Sequence, residues 1–452
     1  MKFIPQHSLD FLDSWLIYQH QHGDIPGITI AIAKDDKKIF AKSYGFANIE
    51  EKEELTTDHL FRIASHSKTF TATALLQLQE KGKLRIDDKA SDYLEWLKEH
   101  RDNRWHEVTI RQLLSHSGGV IRDGLDANYW QLKRPFPSAA RLKQEILEAD
   151  LVYDNNKKFK YSNFGYSLLG QIIEGVSGQT YAEYVNKHII EPLELENTGP
   201  EPNARVSKRL ASAYGRKLTD KTREHIPDVD TCAMASATGF YSCANDLLTY
   251  FSAHMIGTGK LLNDESKKEM QRVQWQVEHA IAKDEYGLGL EMSKIGERTM
   301  IGHGGGFPGH TTMSLFDPKD KLVLTIMTNC LEAPTHAIAK GILSILDYLG
   351  EDEPDKSLLK FEGRFANLWG VEQVVIKGKE IVGITPQANE PFSHSDTFEK
   401  IDETTLKIVK TNGYMSNGEL IHYIFDNDDK PTKIISAGIE SLLSKSGDYH
   451  LK

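Results

Sequence analysis

The stretch FRIASHSKTF, residues 61–70, sets a serine three residues ahead of a lysine just where a long helix begins. At that spacing Ser65 and Lys68 share a helix face. The first turn of a helix also carries free backbone N–H groups and the positive end of its dipole, which favour developing negative charge. A serine hydroxyl is a weak nucleophile until a neighbouring base accepts its proton. A lysine can serve once burial and nearby cations lower its pKa. The plainer reading is a serine cap followed by a solvated lysine, and so short a pattern arises often by accident. Other parts of the chain must decide between the two.

Two stretches bear on it. In KFKYSNFGYSLLG, Tyr161 and Asn163 stand two apart and point the same way in an extended segment or tight turn. A phenol can relay a proton, and an amide can hold a lysine or a substrate carbonyl. In IGHGGGFPGH, residues 301–310, His303 is followed by Gly304, Gly305 and Gly306. Three glycines let another backbone approach an edge strand, so a peptide could pair there by strand addition. A flexible hairpin turn is the bland alternative. A phosphate cradle fits poorly, because no Gly-Lys-Ser/Thr follows.

The surrounding pattern reads as α+β. An amphipathic helix is expected from about Leu9 to His20. GITIAIAKDDKKIFAKSYGFAN reads as strand, Asp-Asp-Lys turn, strand. TFTATALLQLQEKGKL reads as a helix ending at Gly82, and FGYSLLGQIIEGVSGQTYAEYVNKHII as two helices broken near Gly178. Strand character returns with YGLGLEM, TTMSLFD and KLVLTIMTN, and a helix follows from Ala333 to Leu349. This order predicts an antiparallel sheet flanked by helices, with an inserted helical lobe. After the acidic, proline-marked stretch 351–357 come short alternating segments. They predict a small antiparallel β-barrel or sandwich of about 95 residues. The expected domains are residues 1–352 and 353–452.

With 452 residues, 39% apolar and 26% charged, the chain has the composition of a soluble globular enzyme. Its net charge of −11 argues against a broad nucleic-acid surface. The first residues lack the uninterrupted apolar run of a signal peptide, and nothing approaches a membrane span. Three cysteines, Cys232, Cys243 and Cys330, make neither a disulfide framework nor a zinc site, so the expected location is cytoplasmic. No His/Asp/Glu cluster has metal-ligand spacing, and no cofactor is expected. His116, in LLSHSGG, reads as a structural residue at a helix end, since no G-x-S-x-G pattern accompanies it.

SHSK, YSN and HGG, in that order and at wide spacing, resemble the active-site motifs of serine β-lactamases and penicillin-recognising peptidases. The class C β-lactamase and D-aminopeptidase branch, with Tyr-x-Asn as its second motif, is the more similar. Supporting context such as VTIRQLLSHSGG and ATGFYSCANDLLTYF extends over most of residues 10–350. The resemblance implies a β-lactamase/transpeptidase-like fold. It also implies Ser65 as acylated nucleophile, Lys68 assisting its deprotonation, Tyr161 passing the proton to the leaving group, and Asn163 orienting Lys68 and the substrate amide. His303, Gly304 and Gly305 would form the strand facing the serine, and the backbone N–H groups of Ser65 and Gly306 the oxyanion hole. β-Lactamases usually carry Lys-Thr-Gly as third motif. Histidine there is mostly neutral near pH 7, which weakens recognition of an antibiotic carboxylate. That departure, with a C-terminal domain resembling the lipocalin-like appendage of some family peptidases, leads to the expectation of a serine peptidase on short peptides with D-residues. A carboxylesterase and, behind it, a β-lactamase are the alternatives, and a non-catalytic scaffold the reading from another class. Amino-, carboxy- or endopeptidase action stays open. The expected partners are a small peptide or ester, with no nucleic acid and no membrane, and self-association through the C-terminal domain.

Overall fold

The computed structural model describes residues 3–278, 283–411 and 416–451. Packing divides the chain into two compact units, Ile25–Thr335 and a second made of the N-terminal segment to Asp24 with His336–Lys452. The second unit therefore takes both terminal helices of the segment 1–352 along with the barrel, a grouping that chain order and composition do not show.

Within Ile25–Thr335 lies a nine-stranded antiparallel sheet. Its strands are β1 (Gly27–Lys34), β2 (Lys37–Asn48), β3 (Glu53–Glu54), β4 (Trp275–Glu278), β5 (Lys283–Tyr286), β6 (Glu291–Ile295), β7 (Arg298–Phe307), β8 (His310–Asp317) and β9 (Leu322–Thr328). Their spatial order is β3-β2-β1-β9-β8-β7-β6-β5-β4. The β1–β2 turn puts both Asp35 (φ 51°) and Asp36 (φ 59°) in the left-handed region. That is the type I′ geometry whose twist matches a hairpin, and aspartate tolerates it. The central strands β1 and β9 are buried almost throughout, so they read as continuous apolar runs rather than as alternation.

YGLGLEM is not one strand. β5 ends at Tyr286 and β6 begins at Glu291, because Gly289 turns at φ +74° and presses its backbone onto the neighbouring helix. A Cβ there would fall 2.8 Å from Ala72 Cβ and 2.9 Å from Lys68 O. Conversely, HGGG lies within β7 instead of forming a hairpin turn; the turn comes at Pro308-Gly309.

Between β3 and β4 the chain forms the helical lobe. Its central helix, Ser67–Glu80, is buried at every residue from Ser67 to Leu78. Such a helix needs no amphipathic stripe, which explains its small residues and threonines. Thr69, Thr71 and Thr73 return their hydroxyls to backbone carbonyls three or four residues earlier. Phe70 stacks on Tyr250, ring centroids 3.8 Å apart.

In the second unit, eight strands from Gly363 to Leu443 close into an antiparallel barrel. Two of them, Asp396–Lys400 and Ile439–Leu443, went unread in the sequence. The helices Gln6–Gly23 and Thr335–Leu349 belong to this unit. Arg364 of the first barrel strand donates to Ser14 O at 2.8 Å, and Gly341 admits the Trp15 ring where a Cβ would lie 2.3 Å from it. Among the described residues no helix is long and apolar enough to cross a membrane.

One glycine connects the sheet to the helical lobe. A Cβ on Gly305 of β7 would fall 2.3 Å from Ile63 O and 3.1 Å from His66 Nδ1. Gly305→Ala must push strand and turn apart, at an expected cost of about 1–3 kcal/mol, as overpacking elsewhere does. Chemical denaturation measures it, and an unchanged midpoint would contradict the close approach described here.

Candidate active site

Ser65 sits in a 3₁₀ turn, Ala64–His66, that feeds directly into the Ser67–Glu80 helix. The turn is strained and pinned. Ala64 is a buried non-glycine residue at φ 47°, a conformation costing about 1–3 kcal/mol that surrounding structure must over-determine. Here Ile63 N–H donates to Phe240 O at 2.9 Å. Ser67 Oγ donates to Ala64 O at 2.5 Å and accepts from Phe240 N–H at 3.1 Å. The result is a hydroxyl held at the mouth of a helix on a turn that cannot relax.

Lys68, one turn along, is fully buried. Its Nζ lies 3.1 Å from Ser65 Oγ, 2.7 Å from Asn163 Oδ1 and 2.8 Å from Ala237 O. Two of those partners are carbonyls and can only accept. A neutral amine gives them its two hydrogens, and its lone pair then faces Ser65. Burial is the chief reason the amine's pKa falls to about 7; Asp123 and Glu291 oppose the fall and Arg122 adds to it.

Tyr161 precedes the helix Asn163–Ser177, whose cap is Ser162, accepting from Gly165 N–H at 2.8 Å. The Tyr161 hydroxyl donates to Ser65 Oγ at 3.0 Å. Burial, then the Glu291 charge, push this phenol above its ordinary range, so it stays protonated at neutral pH. Asn163 occupies the first helical position, and its Nδ2 donates to Asp123 Oδ1 at 2.7 Å. Since a carboxylate must accept, this bond fixes which end of the amide turns to Lys68. Asp123 in turn pairs with Arg122 at 3.0 Å, whose guanidinium lies 5.0 Å from the Tyr161 ring centroid.

Strand β7 closes the site. β6 pairs with it only from Arg298 to Gly302, whereas β8 pairs with it from Ile301 to Phe307. Among the described residues the β6-facing edge therefore lacks a strand partner from residue 303 onward. Gly304 N–H, on that edge, donates to Glu291 Oε2 at 3.0 Å. Gly306 lies two residues along on the same side, and a Cβ there would touch nothing within 4 Å. His303 is turned inward. Its Nδ1–H donates to Gly304 O at 2.6 Å, and its Nε2 accepts from the Tyr286 hydroxyl at 3.2 Å. Burial pushes it down to about 3, aided by Lys68, so the ring is neutral.

The fold thus brings Ser65, Lys68, Tyr161 and Asn163 into one hydrogen-bonded cluster and sets His303–Gly306 beside the Ser65 turn. His116 is no second catalytic base. At φ 58° it accepts Ser162 N–H on Nδ1 at 3.1 Å and packs on the Tyr161 ring, 4.2 Å between centroids. Three contributors escaped the sequence reading: Asp123, Glu291 and the carbonyl of Ala237. A carbonyl carries no residue signature. Asp123 and Glu291 are single carboxylates in a chain with 65 acidic residues, and only folding distinguishes them.

Comparison with known proteins gives the relatives. Protein flp of Staphylococcus aureus (strain MW2) is 28% identical over 231 residues, 50% of this chain and 46% of that protein, so the chain spans about half of that relative's length. The octameric penicillin-binding protein homologue from Pyrococcus abyssi superposes with a TM-score of 0.67 at 23% identity, covering 96% of this chain and 99% of that one. The D-amino acid amidase from Ochrobactrum anthropi SV3, in complex with L-phenylalanine amide, gives 0.64 at 22% identity over 75% and 99%. These last two are likenesses of fold. A family model, Beta-lactamase, matches residues 12–346 and so takes in all three sequence motifs. With well over half of its 452 residues in that match, the chain belongs to the Beta-lactamase family.

Proposed function

We propose that Ser65 is the nucleophile of an acyl-enzyme hydrolase acting on short peptides or amino-acid amides, with a preference for D-residues. The observation that carries this reading is the convergence on Ser65 Oγ of the Lys68 amine at 3.1 Å and the Tyr161 hydroxyl at 3.0 Å. Lys68, neutral, takes the Ser65 proton as Oγ attacks the carbonyl carbon. The oxyanion settles between the backbone N–H groups of Ser65 and Gly306, donors typically worth about 2.7–4 kcal/mol each in a transition state. Tyr161 gives its proton to the leaving nitrogen and recovers one from the Lys68 ammonium, which holds the proton taken from Ser65. Water then releases the acyl group by the reverse proton path.

The substrate side rests on charge. A β-lactam antibiotic presents a carboxylate, for which a cation would be needed near the third motif. Here the histidine is buried and neutral, and the charged group hydrogen-bonded to the open edge is the Glu291 carboxylate. Such an edge suits a neutral amide or an ammonium group better than an anion. The structural likeness to a D-amino acid amidase supports the same class. We place the enzyme in the cytoplasm, in keeping with its free cysteines Cys232, Cys243 and Cys330. Self-association through the barrel, whose Leu368 (63%) and Trp369 (85%) stand exposed, accords with the octameric neighbour.

Mass spectrometry of a peptide and amide panel in both stereochemistries should show cleavage of D-aminoacyl amides, and Ser65→Ala should reduce it by about 10⁴-fold or more. Activity on p-nitrophenyl acetate alone would replace this reading with an esterase; nitrocefin turnover would make it a β-lactamase. The pH profile follows from Lys68. Its neutral form is the proton acceptor, so kcat/KM should fall about tenfold per pH unit below about pH 7 and level off above. A rate that rises towards acid would exclude Lys68 as base. Light scattering should give a mass that is a multiple of one chain's, reduced by Trp369→Glu.

A further inference from the structure

The barrel holds a cavity that the hydrolytic site does not use. Its interior is filled at one end only, by Phe361, Phe365, Val374, Ile376, Leu406 and Tyr423. Towards the other end the period-two alternation that buries Val374 and Ile376 brings Glu372 inward, and that which buries Phe398 brings Asp396 inward. Both carboxylates line an open cavity of about 580 Å³, together with apolar walls that include Ile384, Phe398, Ile408 and Ile439.

Three features show a built space rather than a packing fault. Gly383 pairs with Val374 on one side and Asp396 on the other. A Cβ on it would fall 2.7 Å from Glu372 Oε1 and 2.5 Å from the Phe398 ring, so glycine is what gives the carboxyl its room. The nearby Asn367 is satisfied, its Nδ2 donating to Ser441 Oγ at 2.8 Å. Among the described residues, by contrast, neither Glu372 nor Asp396 has a side-chain hydrogen bond or a cation beside it. Burial, then the neighbouring Asp396 charge, push Glu372 up to about 7. Two like charges facing an apolar cavity are stable together only when something of opposite charge joins them or one takes a proton.

We infer that the barrel cavity is a binding site for a small organic cation, an amine with an apolar or aromatic body, whose charged head sits between Glu372 and Asp396. The apolar walls take the body, and the two carboxylates take the head, the arrangement common to small-molecule sites. This site is independent of the acyl-enzyme reading and stands or falls separately from it.

Isothermal titration of the full chain with 1-naphthylmethylamine tests it, with 1-naphthoate as the isosteric anion. One equivalent of amine should bind, with Kd below about 1 mM, and naphthoate should not. Glu372→Gln should weaken the amine by about tenfold or more, as losing a hydrogen bond to a charged group does. Ser436→Phe, which fills the cavity without touching a charge, should abolish binding. Ser65→Ala should bind the amine like the parent chain, which separates this site from the hydrolytic one. Absence of binding by the parent chain, equal binding of naphthoate, or amine binding that survives both barrel variants would overturn the inference.

Discussion

Everything in the candidate site depends on burying one amine without its charge. An ammonium taken from water into a protein interior costs several kcal/mol unless it is paired. Among the described residues Lys68 has no carboxylate in contact; its partners are two carbonyl oxygens and a hydroxyl. That set holds a neutral amine well and an ammonium poorly, so the structure selects the protonation state that can receive a proton. Asp123 stands one amide away, with Asn163 between. Close enough to orient the amide and too far to pair directly, it keeps the lysine from being locked as a cation.

The division of labour with Tyr161 comes from the same burial acting on a group of opposite charge type. Desolvation lowers an amine and raises a phenol. One environment therefore favours a neutral amine at Lys68 and a protonated phenol at Tyr161 around a single oxygen. The strained Ala64 and the close contact of Gly305 with Ile63 keep that oxygen in place. Rigidity here is specified by backbone contacts, which is why a glycine and an alanine matter as much as the polar groups.

Much of this was legible beforehand. The order SHSK, YSN, HGG picked out residues that the fold gathers together, and strand, helical lobe, strand, helix carried the fold class, because both are written in short local stretches of sequence. What escaped was whatever depends on a partner far along the chain. YGLGLEM looks like a strand until Gly289 meets Lys68 O. Asp396–Lys400 has two charged ends and one buried phenylalanine, too weak an alternation to announce a barrel strand. Asp123 and Glu291 acquire meaning only beside Asn163 and Gly304.

The half-open strand β7 has one more consequence. An unpaired edge ordinarily invites aggregation, since another chain can add to it indefinitely. Amyloid-like stacking, however, draws its strength from interdigitated side chains, and residues 304–306 have none. The first N–H along the edge is already taken by the Glu291 carboxylate. A backbone laid along this edge would thus gain a few main-chain bonds and no zipper, enough for a passing contact and too little for a lasting one.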